Sequence, residues 1–77
     1  MTPSVGRIVH YVMPDGPAKG AHRPAVVVCA FNVTCVNLQV FVDGINDGVE
    51  AHQGTLWKSS VCEGTCPGSW HWPEKVD

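Results

Sequence analysis

The stretch that decides the fold is Cys35-Val36-Asn37-Leu38-Gln39-Val40-Phe41-Val42, in which apolar side chains recur at every second position. Successive side chains of a β-strand point to opposite faces, so this period places one set of side chains together. That set is uniformly apolar and consists of Val36, Leu38, Val40 and Val42. The stretch therefore predicts a strand with one buried face.

The rest of the chain has the same character, because Val and Ile supply 15 residues against 2 Leu, and branched side chains favour strands. Glycine and proline divide it into four further candidate strands: Gly6–Met13, Ala25–Phe31, Leu56–Val61 and Ser69–Trp72. The segment Ala25–Phe31 is apolar on both faces, which predicts a central strand. Residues 14–22 are predicted to form a loop, and residues 43–48 contain turn-forming Asp-Gly and Asn-Asp-Gly sequences.

These segments predict an all-β fold: a small five-stranded, strongly bent antiparallel sheet or an open β-barrel of the Src-homology type, since closing a short sheet hides its edges. A flat three-stranded sheet with a mobile tail is the alternative. The 77 residues suffice for a single domain, residues 1–77, with a frayed tail at residues 73–77. The predicted core contains Ile8, Val12, Val26, Val28, Val36, Leu38 and Val40.

Composition and charge exclude several functions. A net charge of −2 gives no positive field for general nucleic-acid or membrane binding. The longest apolar run, Ala25–Phe31, is far shorter than a bilayer span. The start of the chain lacks the pattern of a secretory signal, so we expect an intracellular protein.

The four cysteines, Cys29, Cys35, Cys62 and Cys66, raise the question of a zinc site. Structural zinc sites pair ligands at short spacing at both knuckles, and only Cys62 and Cys66 fit that rule. Disulfides are disfavoured by the expected intracellular setting. The sequence therefore predicts reduced, metal-free thiols, and no metal or other cofactor.

Catalytic arrangements are not apparent. Cys66 lies near His71 in sequence, but no flanking motif supports a nucleophile and base. Asp43, Asp47 and Glu50 fall in a turn-rich segment, where solvation and turn formation account for them. We therefore predict a protein that is not an enzyme and has no catalytic residues.

Aromatic and basic side chains give the candidate binding site. The indoles of Trp70 and Trp72 either cap a small core or, with Trp57 or Tyr11, stack on a planar ligand, while His71 takes the opposite face. Basic groups lie within or next to predicted strands: Arg7, His10, His22, Arg23 and His71. They are either isolated surface side chains or contacts for a phosphate. The predicted ligand-binding set is Arg7, Tyr11, Arg23, Trp57, Trp70, His71 and Trp72.

Four blocks of the sequence resemble a family of small uncharacterised proteins encoded by tailed bacteriophages and prophages. They are GRIVHYV (residues 6–12), HRPAVVV (22–28), VNLQVFVDGINDG (36–48) and PGSWHWPE (67–74). The resemblance implies a protein in the cytoplasm of an infected bacterial host, without catalytic motifs. Cys62 and Cys66 depart from the family pattern.

The resemblance and the candidate residues together predict a phage-encoded, non-enzymatic binding protein. Its expected ligand is a small, planar, nucleotide-derived anion, and its role is that of a sponge that sequesters an immune signal of the host. A homo-oligomer is expected, because a symmetric partner can cover apolar strand faces and edges. The alternatives are a virion structural component and a modulator that binds a host protein.

Overall fold

The computed structural model describes residues 2–48 and 54–73, which form one antiparallel sheet with strand order β4-β3-β2-β1-β5. The strands are β1 (Ile8–Val12), β2 (His22–Ala30), β3 (Cys35–Phe41), β4 (Thr55–Cys62) and β5 (Trp70–His71). A 3₁₀ helix, Gly44–Asp47, lies between β3 and β4. The sheet curls strongly into a half-barrel, which confirms the predicted fold and excludes the flat alternative.

The two ends of the strand order meet at Trp70. On one side Trp70 pairs with Tyr11 of β1. On the other side it forms a parallel bridge with Glu63, which follows β4, and its carbonyl accepts a 2.8 Å hydrogen bond from the amide of Gly64. The short strand β5 therefore pairs with β1 and also contacts the segment that follows β4.

The core lies on one face of the sheet, which we call the inner face; the opposite face is the outer face. Its buried side chains are Val9, Tyr11, Met13, Ala25, Val27, Val36, Leu38, Val40, Val61 and Trp70. The predictions for Val36, Leu38 and Val40 are confirmed, and Val12 is also buried.

The prediction of a core position is wrong for three residues. Ile8 is 51% exposed and Val28 is 44% exposed, and Val26 is half-buried. Both β1 and β2 carry apolar residues on both faces, so alternation alone did not identify the inner one. The structure turns Val9 and Val27 inward instead, and β2 is therefore central without being buried on both faces.

One strand boundary differs from its prediction in a way that matters for the site. Strand β2 begins at His22, not at Ala25, so His22 belongs to the sheet and not to the preceding loop. Proline usually marks strand ends, so the sequence pattern excludes Pro24 and the residues before it from the predicted strand. The predicted frayed tail lies outside the described residues, except for the exposed Pro73.

The cysteine prediction is wrong for one pair. Cys35, the first residue of β3, and Cys62, the last of β4, are cross-strand partners joined by a disulfide, with Cα atoms 4.2 Å apart. Cys29 and Cys66 are free thiols. Spacing along the chain grouped the cysteines by nearness in sequence, whereas strand register joins residues that are 27 positions apart.

No helix in the described part of the chain has the length and apolar character needed to cross a bilayer.

Candidate metal centre

Three histidines from three strands meet on the outer face; we call His10, His22 and His71 the three-histidine cluster. Strand β1 lies between β2 and β5, and His10 stands directly opposite His71 of β5. On the other side, His22 pairs with Val12, two residues along β1 from His10. Residues two apart on a strand share a face, so His22 is a diagonal neighbour of His10.

The imidazole rings are close enough to share one ion. One ring nitrogen of each histidine lies within 4.8 Å of those of the other two. The ring centroids are 4.7 Å apart for His22 and His71, 5.6 Å for His10 and His71, and 6.1 Å for His10 and His22. Tetrahedral zinc with Zn–N bonds of about 2.0 Å needs ligand nitrogens about 3.3 Å apart. The ring nitrogens therefore lie at most about 1.5 Å beyond the spacing that coordination needs.

Hydrogen bonding orients one of the rings. The Nδ1 atom of His71 lies 2.8 Å from the carbonyl oxygen of Trp72. A carbonyl only accepts, so Nδ1 must carry the proton and Nε2 carries the lone pair. Metal-binding histidines commonly fix their tautomer through such a bond to a backbone carbonyl.

His10 contributes a buried polar atom that the protein does not satisfy. Its Nδ1 is buried and has no hydrogen-bond partner. Leaving a buried donor or acceptor unpaired costs about 1–3 kcal/mol. His10 and His71 are half-buried and His22 is exposed, so the cluster is open to solvent at His22.

The donor set defines the chemistry that the cluster can perform. Neutral imidazole suits zinc, copper, iron and nickel. Within the described residues, the group of potential ligands consists of the three histidines, with no carboxylate or thiolate beside them. Three protein ligands leave a fourth position of a tetrahedral ion for water or another small ligand.

The predicted aromatic residues lie mainly on the inner face. Tyr11 and Trp70 are cross-strand partners, and both are buried. The Trp70 indole donates a 2.8 Å hydrogen bond to the Thr34 carbonyl and packs edge-on against Trp72, with ring centroids 5.5 Å apart. Burial raises the pKa of the Tyr11 hydroxyl, and the charge of Asp15 adds to this effect. These contacts favour the core-capping interpretation, because a buried indole offers no face for stacking.

Arg23 is engaged by a buried carboxylate. Its guanidinium donates two hydrogen bonds to Asp47, at 2.7 and 2.8 Å, and the Asp43 amide donates a third at 2.8 Å. The Arg23 bond, followed by the Asp43 bond, lowers the pKa of the Asp47 carboxyl from 3.8 to about 2. The interpretation of Asp47 as a solvated turn residue is therefore wrong; Glu50 lies outside the described residues.

The predicted ligand-binding residues do not form one site. The structure brings Tyr11, Trp70 and Trp72 together around the core. Trp57 is 53% exposed on β4, at the opposite end of the strand order from β5. Arg7 is exposed just before β1, where its carbonyl accepts a 2.9 Å hydrogen bond from the Val27 amide. Of the seven, only His71 belongs to the three-histidine cluster.

The convergence of the histidines is not apparent from the sequence. Its pattern places His10, His22 and His71 within or next to strands, where they are expected as contacts for phosphate, and the expected candidates for metal ligands are the cysteines. The alternation of β1 gives the face of His10, and that of β5 gives the face of His71. Their proximity follows only from the strand order and register, which the sequence does not specify.

Comparison with family models, with curated proteins and with solved structures finds no match to this chain.

Proposed function

We propose that this protein binds a divalent transition-metal ion, with Zn²⁺ as the preferred ion, through His10, His22 and His71. The observation that carries the proposal is the convergence of three ring nitrogens, one from each strand, within 4.8 Å on one face of the sheet. The hydrogen bond from His71 to the Trp72 carbonyl supports it, because it fixes a ring tautomer suited to coordination.

The strands position these ligands before any ion arrives. His10 lies inside β1, between hydrogen-bonded neighbours in β2 and β5, so its backbone has little freedom. The Arg23–Asp47 pair fixes the beginning of β2 beside His22 by tying it to the 3₁₀ helix. Sites built on regular elements lose less entropy on binding than sites built on loops.

The open coordination position gives a role to a small ligand. A Zn²⁺ ion held by three neutral imidazoles keeps its double positive charge, so an anion is the favoured fourth ligand. The nucleotide-derived anion expected from the sequence would then coordinate through a phosphate oxygen, since Arg23 and Trp70 already serve the fold. We propose non-enzymatic sequestration by a phage-encoded protein in the host cytoplasm as the role of this arrangement.

An enzymatic role is the second candidate, because three histidines and an open position also suit activation of a bound water. Turnover of an activated ester by the zinc-loaded protein, lost in His10→Ala, would favour it over sequestration. A virion component or a modulator of a host protein needs no metal. Co-purification with intact particles or with one host protein would favour those alternatives.

Titration calorimetry tests the metal site. Free thiols also bind zinc, so the titration uses the Cys29→Ser/Cys66→Ser protein, in which the remaining cysteines form the disulfide. We expect one Zn²⁺ per chain. No heat of binding and no retained zinc after gel filtration would refute the proposal.

Single substitutions assign the ligands. His10→Ala, His22→Ala and His71→Ala should each weaken Zn²⁺ binding by about 100-fold or more, since removing even an outer-shell partner costs 10–100-fold. Gln39→Ala is the matched control, because Gln39 lies on the same outer face and outside the cluster. Unchanged affinity in all three histidine variants would contradict the assignment.

A further inference from the structure

We propose that the Cys35–Cys62 disulfide controls the metal affinity of the three-histidine cluster, so that reduction weakens the site. The inference rests on the proposed function and concerns regulation of the same site. The disulfide belongs to the end of the β3–β4 pair, whereas the cluster lies on β1, β2 and β5. The connection between them runs through Trp70, the neighbour of His71.

Strand β5 has only two residues, so its position depends on bonds from other segments. Besides its pairing with β1, it is held through Trp70, whose indole donates to the Thr34 carbonyl at 2.8 Å. The Trp70 carbonyl accepts from the Gly64 amide, also at 2.8 Å. Because His71 follows Trp70 directly, whatever moves Trp70 also moves this ligand.

The segments that hold Trp70 are the two that the disulfide joins. Thr34 immediately precedes Cys35, and Glu63 and Gly64 immediately follow Cys62. The Thr34 carbonyl accepts hydrogen bonds from both the Trp70 indole and the Glu63 amide, the latter at 2.9 Å. The disulfide thus links covalently the two segments whose hydrogen bonds position β5.

Apart from the disulfide, the β3–β4 pairing at this end is short. The β3–β4 register is interrupted between Val36 and Leu38, which leaves two paired positions beyond the irregularity, Cys35↔Cys62 and Val36↔Val61. Ser60, at the irregularity, has φ of 53°, which a residue other than glycine adopts only at an energetic cost. Loss of the disulfide should therefore let this end of the sheet open.

The chemistry of the switch is a two-electron reduction. A cellular dithiol attacks one sulfur of the Cys35–Cys62 bond, and after exchange its own two sulfurs form a disulfide. The S–S bond of the protein breaks. Cys35 and Cys62 become thiols by taking up the two protons and two electrons that the reductant gives up. His10 and His22 keep their places in β1 and β2, while His71 is left with the support of β1 alone.

The test compares Zn²⁺ binding with and without the disulfide while avoiding thiols that bind zinc themselves. Calorimetry on Cys29→Ser/Cys66→Ser protein, which retains the disulfide, is set against the variant in which all four cysteines are serine. We expect at least about 10-fold weaker binding in the four-serine protein, in line with the loss of a ligand's support. Circular dichroism checks whether both proteins remain folded.

A second variant covers the case in which the four-serine protein fails to fold. Trp70→Phe, made in the Cys29→Ser/Cys66→Ser protein, keeps the disulfide and removes the indole donor to Thr34. It should weaken Zn²⁺ binding in the same direction. Equal affinity in all folded variants would overturn the coupling and leave the metal site intact. Absence of zinc binding by the disulfide-bonded protein would overturn the proposed function itself.

Discussion

The Nδ1 atom of His10 is a buried polar atom without a hydrogen-bond partner, set in a strand that is otherwise apolar. An imidazole at such a position destabilises the metal-free protein, because the desolvation of its buried nitrogen is uncompensated. A residue that costs stability and points toward two other histidines is typical of a functional site.

The first prediction follows from that cost. His10→Leu should leave the unfolding free energy of the metal-free protein unchanged or raise it by about 1 kcal/mol. The same variant should lose the stabilisation by Zn²⁺, which is about 2.7 kcal/mol when free zinc is 100 times the dissociation constant. Urea unfolding with and without zinc measures both quantities.

Gln39→Leu is the control for this experiment, since it adds an apolar side chain to the same face without touching the cluster. A large loss of stability in metal-free His10→Leu would show that the imidazole has a structural role, and would count against the metal site.

The second prediction concerns Asp47 and acid. Its pKa is lowered from 3.8 to about 2 in the folded protein. Because the folded value is below the unfolded value, the carboxylate stabilises the fold fully above about pH 4, and this contribution, about 2 kcal/mol, disappears as the pH falls toward 2. Asp47→Asn should therefore be less stable than wild type at pH 7, and the difference should shrink at pH 2.5.

Denaturant unfolding at both pH values measures this difference, with the exposed Asp15→Asn as the control. If the stability difference is the same at pH 7 and pH 2.5, the stabilisation by the Arg23–Asp47 pair does not depend on ionisation of the Asp47 carboxyl.

Among the elements, β5 is too short to hold itself in place and relies on β1 and on the segments next to the ends of β3 and β4. The Cys35–Cys62 disulfide closes a loop over a sequence separation of 27, for which the chain-entropy model gives about 3.5 kcal/mol. The third prediction is that Cys35→Ser/Cys62→Ser lowers the unfolding free energy by about 2–4 kcal/mol. Chemical unfolding measures it.

Cys29→Ser/Cys66→Ser is the matched control, because those thiols form no disulfide and the double variant should change the unfolding free energy by much less. Equal destabilisation of both double variants would mean that the cross-link itself adds nothing to the unfolding free energy.

The elements could largely be predicted from the sequence, but the faces and the partners could not. Alternation in residues 35–42 identified β3 and its inner face, because only one face is uniformly apolar. In residues 25–28 three valines follow one another, so both faces are equally apolar and the pattern wrongly predicts Val26 and Val28 as the inward residues. The disulfide and the three-histidine cluster depend on register between strands that are distant in sequence, and no local pattern encodes that register.

For the whole molecule, the outer face carries a row of mainly apolar side chains. Ile8, Val26, Gln39 and Trp57 are successive cross-strand neighbours from β1 to β4, and Ile8 and Trp57 are 51% and 53% exposed. The fourth prediction is self-association at high concentration, which buries part of this row. Light scattering should show more than one chain per particle, and Trp57→Ser should shift the protein toward the monomer.

Phe31→Ser is the control, since Phe31 is 56% exposed but lies outside the strands. A monomer at millimolar concentration would contradict the prediction. An equal effect of both serine variants would show that the contact between chains does not involve the row on the outer face.

The curled sheet is proposed to place the imidazoles of His10, His22 and His71 around one metal ion. X-ray absorption at the zinc edge on the zinc-loaded Cys29→Ser/Cys66→Ser protein tests it most directly. We predict three imidazole nitrogens at about 2.0–2.1 Å and one further light atom from solvent or a small anion. Sulfur neighbours at about 2.3 Å, or a first shell without imidazole, would contradict it.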